Sequence, residues 1–351
     1  MNRLSCMMIS DSFLDEQRNI GDVEADKLVA SYFSGDQKNL LYQVFAQDDS
    51  TIQQKGTVNS LYSFLNTKRP EPDWYQYDRI KNGQQFFKKY ALDIMTLLGA
   101  LSLPYCYAAS PGNKALYQTE KIRKATGKRL VETADFIIKV LTPGSFESPG
   151  FGYIQINKIR LVHAVARYYV IKGEWDKSWG LPINQEDMSG TNLAFSYIIL
   201  VGLIRTGFKL STTEQEDFLY VWRYIGYHMH IHEGLLADSK ATAEMLERKI
   251  RQRHFKPSEE GRKLTQELVN HYKSYFPAVP AFFVDAQMRY LIGPEISALL
   301  GMKREPIKDE FLKTMNGAKE MMNQFYNNER AYETMLANHE KLKQQFMKPN
   351  P

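Results

Sequence analysis

Cysteine is almost missing from this chain. Cys6 and Cys106 are the two among 351 residues, and neither lies in a Cys-x-x-Cys pair or beside other ligating residues. That excludes a disulfide framework and a thiolate metal site. Long apolar runs are missing too. Residues 94–113 and 188–204 carry no charge, but the first is broken by Pro104 and Pro111 and the second is 17 residues long. A spanning helix needs about 20 predominantly apolar residues, so both are expected to be buried helices, with no stable membrane span. An excess of one charge is also lacking. The net charge of +5 is spread along helices in which basic and acidic residues alternate, as in 244–253, which makes a solvated face and gives no reason to expect nucleic acid as a partner. The first nineteen residues have a short apolar patch interrupted by Asp11 and Asp15, a poor signal peptide, so a cytoplasmic location is expected. Finally, no stretch sustains the alternation of period two that marks half-buried strands.

What is present is helical periodicity in a composition that is 43% hydrophobic and 24% charged, as in a soluble globular protein. Helices are expected over about 22–33, 37–46, 58–66, 76–103, 114–141, 153–172, 186–207, 212–231, 237–254, 259–275, 281–300 and 306–345. Local punctuation sets their ends. Thr142, Pro143 and Gly144 stop the fifth, because proline lacks the amide and glycine tolerates a left-handed cap. Ser211 followed by Glu214 is a capping box for the eighth. The loop 144–152 is short enough to make the helices on either side of it neighbours.

Two polar stripes interrupt these apolar helices. In IRLVHAVAR, residues 159–167, Arg160, His163 and Arg167 stand at i−3, i and i+4 and share one face. An imidazole between two guanidinium groups suits an anionic, iron-bearing cofactor such as haem, whose iron takes the imidazole and whose propionates take the arginines. A hydrogen-bonded core histidine fits the same spacing. About thirty residues upstream, Arg129, Glu132, Thr133 and Phe136 form a second stripe at i, i+3, i+4 and i+7. A guanidinium, a carboxylate and a hydroxyl beside an aromatic ring are expected where a pocket orients a polar reactant such as dioxygen next to an apolar substrate.

The segments RLVET, residues 129–133, and RLVHAVAR, residues 160–167, resemble the latex clearing proteins and the fungal MpaB-type oxygenases, which share a rubber-oxygenase-like catalytic domain. The stretch 182–229, with its polar turn, small-residue helix, glycine stop and Trp-Arg helix, is similar to the same family, and the resemblance covers roughly 75–300. It implies an all-α protein, a single large helical domain with a globin-like haem-binding core over 71–305, helical extensions over 1–70 and 306–351, and one haem b with His163 as proximal iron ligand. It implies Arg129 and Thr133 on the distal side and Arg160, Arg167 and, as a third propionate partner, Arg289. The implied activity is oxidative cleavage of an isoprenoid carbon-carbon double bond by O2. One departure matters: the latex clearing proteins carry in the distal motif a lysine that can ligate iron, and the matching residue here is Glu132. The distal position is then open, water-bound or guarded by that carboxylate. The family's upstream catalytic glutamate has Glu120 as its nearest candidate, out of clean register with Arg129.

Other readings stand beside this one. A haem carrier or sensor would use the same residues without turnover. His228, His230 and His232 propose a non-haem metal site: an extended backbone points all three one way, whereas a helix aligns only His228 with His232. They equally suit the end of the Trp222 helix. Phe136, Phe195, Tyr197 and Ile198 are candidates to line an apolar substrate channel, or to be ordinary core. The tail 306–351, rich in Lys, Glu, Gln and Asn, reads as a surface or partner-facing helix.

Overall fold

In the computed structural model, which describes residues 9–119, 126–148, 150–275, 280–306 and 330–347, the expected all-α class holds. Among the described residues the one β-type contact is an isolated antiparallel bridge between Ala109 and Phe255. Most expected helices appear within two or three residues of their anticipated ends, and the exceptions have local causes. Two short α-helices were not anticipated, Asp11–Gln17 and Asp49–Lys55. Each is started by a side-chain cap, Ser10 accepting from Phe13 at 3.1 Å and Asp48 from Thr51 at 2.8 Å.

Four expected long helices are broken; the run 114–141 stops at Gln118, where Thr119 takes an extended backbone. The run 76–103 divides at Tyr90 and then widens into a π-turn at Leu98–Ser102, directly before Pro104, whose missing amide cannot continue the regular ladder. The run 186–207 divides at Ser196, whose hydroxyl donates back to the Asn192 carbonyl at 2.7 Å, giving Gln185–Phe195 and Tyr197–Arg205. The run 281–300 divides at Gly293, which takes φ +84 ahead of Pro294. Residues 120–125, within the expected 114–141 helix, and 307–329, within the expected tail helix, lie outside the described residues, and so does Glu120.

The main core gathers around the crossing of Tyr77–Lys89 with Thr212–His228, and includes Phe87, Phe218 and Tyr224. Gly83 makes that crossing close: a Cβ there would lie 2.4 Å from the Asp217 carbonyl oxygen. Arg79 and Asn82 then bind the Asp217 carboxylate at 2.7 and 3.0 Å. Ser211 and Glu214 form the anticipated capping box.

A second, smaller core lies between the N-terminal helices and the outer face of Gly152–Lys172, where Ile154, Leu161 and Ala164 meet Val29, Leu41, Ile52 and Leu65. The N-terminal segment is therefore packed along the helix that carries His163. At the other end of the chain, Ala331–Phe346 buries Ala331, Met335 and His339 against Thr126–Leu141. His339 Nε2 and Lys139 Nζ reach the Asp135 carboxylate at 3.1 and 3.0 Å and, against the effect of burial, hold its pKa well below the usual range. The described part of the tail thus docks on the Arg129 helix.

The stretch Gln185–Arg205 has the length and composition to cross a membrane, but 61% of its apolar window is buried inside the protein. A core helix meets the same length criterion, and that is the role it has in this fold.

Candidate functional site

The two polar stripes are brought together by the loop between them. Ser145 donates its hydroxyl to the Val140 carbonyl at 2.7 Å and accepts from Gln84 at 2.8 Å, while its own carbonyl receives the Gly152 amide at 2.8 Å. Gly152 allows the second helix to start against Phe146, since a Cβ there would sit 2.6 Å from that ring. Thr126–Leu141 and Gly152–Lys172 consequently pack against each other, with Arg129 on one and His163 on the other.

His163 is half-buried, and its Nδ1 is enclosed without a hydrogen-bond partner. Burial first, then the Arg167 and Arg129 guanidinium groups, push its pKa down to about 4, so the ring is neutral at pH 7. A neutral imidazole with a nitrogen to spare is the form that ligates a metal. The positive charge of Arg129 is also felt at two neighbours of an adjoining helix. Burial raises Cys106 and Tyr107 to about 12, and Arg129 pulls both back. Arg129 thus sits where His163, Cys106 and Tyr107 converge. Glu132 and Thr133, one turn on, are half-buried on the same helix.

The flanking arginines do something the sequence did not suggest. Arg160 spends all three nitrogens on protein acceptors: Nε and Nη2 on Asp22 at 2.7 and 3.1 Å, Nη2 on Glu24 at 2.8 Å, and Nη1 on Asn157 at 3.1 Å. Arg167 gives Nε to Asp26 at 2.9 Å and Nη1 to the Ile183 carbonyl at 2.7 Å. Its Nη2 is buried and unpartnered, although only 2% of the residue is exposed. A buried guanidinium nitrogen without a partner costs about 1 to 3 kcal/mol, so it marks a place where an acceptor belongs. The enclosed Nδ1 of His163 and the enclosed Nη2 of Arg167 are thus the two atoms of this stripe that protein acceptors or donors leave unpartnered. Arg160, expected to share the propionates, instead clamps the N-terminal segment. Arg289 is buried on Ala281–Ile292, a helix that packs on the 98–102 turn and on Glu259–Tyr275.

The histidine cluster does not assemble as one site. His228 ends its helix inside an aromatic cage of Tyr153, Tyr224 and Tyr227, with ring centroids at 4.9, 4.5 and 5.2 Å. His230 takes a left-handed backbone, φ +59, and turns toward Asp22 and Glu24. His232 caps the next turn, its Nδ1 accepting from Gly234 at 3.1 Å. Neither a continued helix nor an extended strand describes the segment, which is why neither alignment of the three rings occurs. Of the four candidate channel residues, Phe136, Phe195 and Ile198 are buried in the main core and Tyr197 lies at its edge.

Sequence reasoning missed Asp22, Glu24 and Asp26, which lie more than 130 residues from the arginines they bind. It also missed Gln185, whose amide ties Gly21, His230 and His232 together. An acidic first helical turn was visible around Asp22, but nothing local named its partners.

Comparison with known proteins follows the same geometry. Residues 89–320 match the family described as ER-bound oxygenase mpaB/B'/Rubber oxygenase, catalytic domain. The chain is 20% identical over 302 residues to the rubber oxygenase of Streptomyces sp. (strain K30), covering 84% of this chain and 74% of that protein. Its fold is similar to a structure of latex clearing protein in the closed state, with a TM-score of 0.75, 18% identity, and coverage of 95% of this chain and 91% of that one. With the family match spanning well over half of its length, the chain belongs to the mpaB and rubber oxygenase catalytic-domain family.

Proposed function

We propose that this protein is a haem b-dependent oxygenase that uses O2 to cleave or oxidise a carbon-carbon double bond of an isoprenoid or other unsaturated apolar substrate. The observation that carries the reading is His163: a neutral imidazole with an enclosed, unclaimed nitrogen, facing an arginine of the neighbouring helix, in a family of oxygenases. Haem, when bound, supplies the activation of dioxygen.

The chain's own residues supply binding and orientation. His163 would hold the iron through its unclaimed ring nitrogen, and Arg167 Nη2 would offer a charge-assisted hydrogen bond to a propionate. Arg129 sets a fixed positive charge against negative charge developing on the oxygen atoms of the reactant. Thr133 would offer a hydroxyl to orient dioxygen or a water. Glu132, in the place of the family's lysine, has no amine to offer an iron and would leave that position to a small ligand.

The test is an absorption spectrum of the purified full chain supplied with haem. A Soret band that is present in the wild type and lost in His163→Ala supports the reading, together with oxygen uptake on adding polyisoprene or a short terpenoid alkene. A spectrum without the band overturns it. A band with no oxygen uptake on any alkene reduces the protein to a haem carrier.

A further inference from the structure

Asp22 and Glu24, the carboxylates bonded by Arg160, lie beside His230, and each of the three presents one ligating atom, all within 4.8 Å of one another. His230 makes no hydrogen bond to either carboxylate, so the three groups surround a gap that their mutual contacts do not fill. The gap opens into a pocket of about 480 Å³ lined also by Gln185, His232 and Lys27. We propose that Asp22, Glu24 and His230 form a binding site for a divalent transition-metal ion of the zinc type, with the pocket supplying water or an exogenous ligand in the remaining position.

The donor chemistry suits such an ion. Two carboxylate oxygens and one imidazole nitrogen are three protein ligands of the kind that zinc accepts with an open fourth position. Calcium and magnesium prefer oxygen donors alone, which leaves no role for His230. Arg160 neutralises one of the two negative charges and leaves the site with a net −1 for the incoming cation. It also leaves lone pairs: Asp22 Oδ2 accepts only from Arg160 Nε, and Glu24 Oε2 takes the bond from Nη2 while its other oxygen is unclaimed.

The supports of the three ligands are tied together before any ion arrives. The Gln185 amide donates to the Gly21 carbonyl at 3.2 Å and to the His230 carbonyl at 3.0 Å, and accepts from the His232 amide at 2.7 Å. One side chain, 4% exposed, thereby sets the Asp22 helix cap and the His230 turn at a fixed separation. The left-handed backbone of His230 aims its ring back across that separation, and Arg160 holds both carboxylates from behind. Such outer supports are what keep metal ligands oriented.

This reading is independent of the haem assignment, and so is its test. Titration calorimetry of the chelator-treated full chain with zinc alone should show saturable binding of one ion per chain. His230→Ala should weaken that binding by at least about tenfold. Glu24→Gln, at a half-exposed side chain where folding is not at stake, should do the same by the loss of a charged ligand. His232→Ala lines the pocket without belonging to the trio and should leave the binding unchanged. Absence of saturable binding at micromolar zinc overturns the proposal. Equal affinity in wild type, Glu24→Gln and His230→Ala overturns it as well, and if His230→Ala loses its helical circular dichroism, Glu24→Gln decides alone.

Discussion

Arg160 grips Asp22 side-on, Nε to Oδ2 at 2.7 Å and Nη2 to Oδ1 at 3.1 Å, with 4% and 3% of the two side chains exposed. This pair joins the N-terminal segment to the helix of His163, three residues before the imidazole. Arg167 and Asp26 repeat the connection two turns further on. The proposed iron ligand is therefore held between one buried and one half-buried ion pair, both to a segment that lies outside the family's matched region.

Removing the charge of Asp22 should be costly. Asp22→Asn keeps the helix cap on Ala25, because asparagine caps as well as aspartate, but leaves the Arg160 guanidinium with Glu24 as its one carboxylate partner. A stability loss of about 3 kcal/mol is expected in urea unfolding, the penalty of breaking one partner out of a buried pair. Asp22→Ala should lose about 1 kcal/mol more, for the cap. A loss below about 1 kcal/mol in Asp22→Asn would show that the pair does no more than a surface bridge.

Arg129→Ala should separate cofactor binding from turnover. The Soret band should persist, because His163 and Arg167 remain, while oxygen uptake with substrate falls about 10²-fold, as it does when one preorganised donor is removed from a developing charge. Loss of the band in this variant would move Arg129 from chemistry to cofactor retention.

Glu132→Lys places an amine where the latex clearing proteins have one. With haem bound, the ferric spectrum should change from one that responds to added imidazole or cyanide to a six-coordinate, low-spin form that resists both. An unchanged spectrum and unchanged ligand affinity would show that the residue does not look onto the iron.

His228 makes the fold sensitive to acid. Burial, then Lys68 and Arg69, lower its pKa to about 3, against the usual 6.5. The folded state therefore keeps the ring neutral while the unfolded chain takes up a proton. The contribution is complete above pH 6.5 and is lost as pH falls toward 3, by up to about 1.4 kcal/mol per unit. His228→Phe suits the aromatic cage and cannot titrate, so its unfolding free energy should vary less between pH 6.5 and 4.5 than that of the wild type. Parallel pH profiles in the two proteins would contradict the assignment.

Much of the fold was legible in local patterns. Helical periodicity, the Ser211–Glu214 box and the Gly144 stop are decided by residues within a turn of one another, and each appears as expected. The breaks at Leu98–Ser102 and Ser196 were missed, although their causes, Pro104 and a serine that bonds its own helix, are local too. Periodicity counts apolar spacing and is blind to a single displaced hydrogen bond. The site was legible in part: the two stripes were visible, and the short loop between them made them neighbours.

The amino-acid sequence by itself determined the helical class and the stripe that carries His163, because these follow from spacing along one chain. Tertiary structure alone decided which charges meet. It gave Arg160 to Asp22 and Glu24, left Arg167 one free nitrogen, and sent His228, His230 and His232 in three directions. The physical reason is that a guanidinium or an imidazole pairs with whatever the fold brings within about 3 Å, and no local pattern encodes a partner more than a hundred residues away.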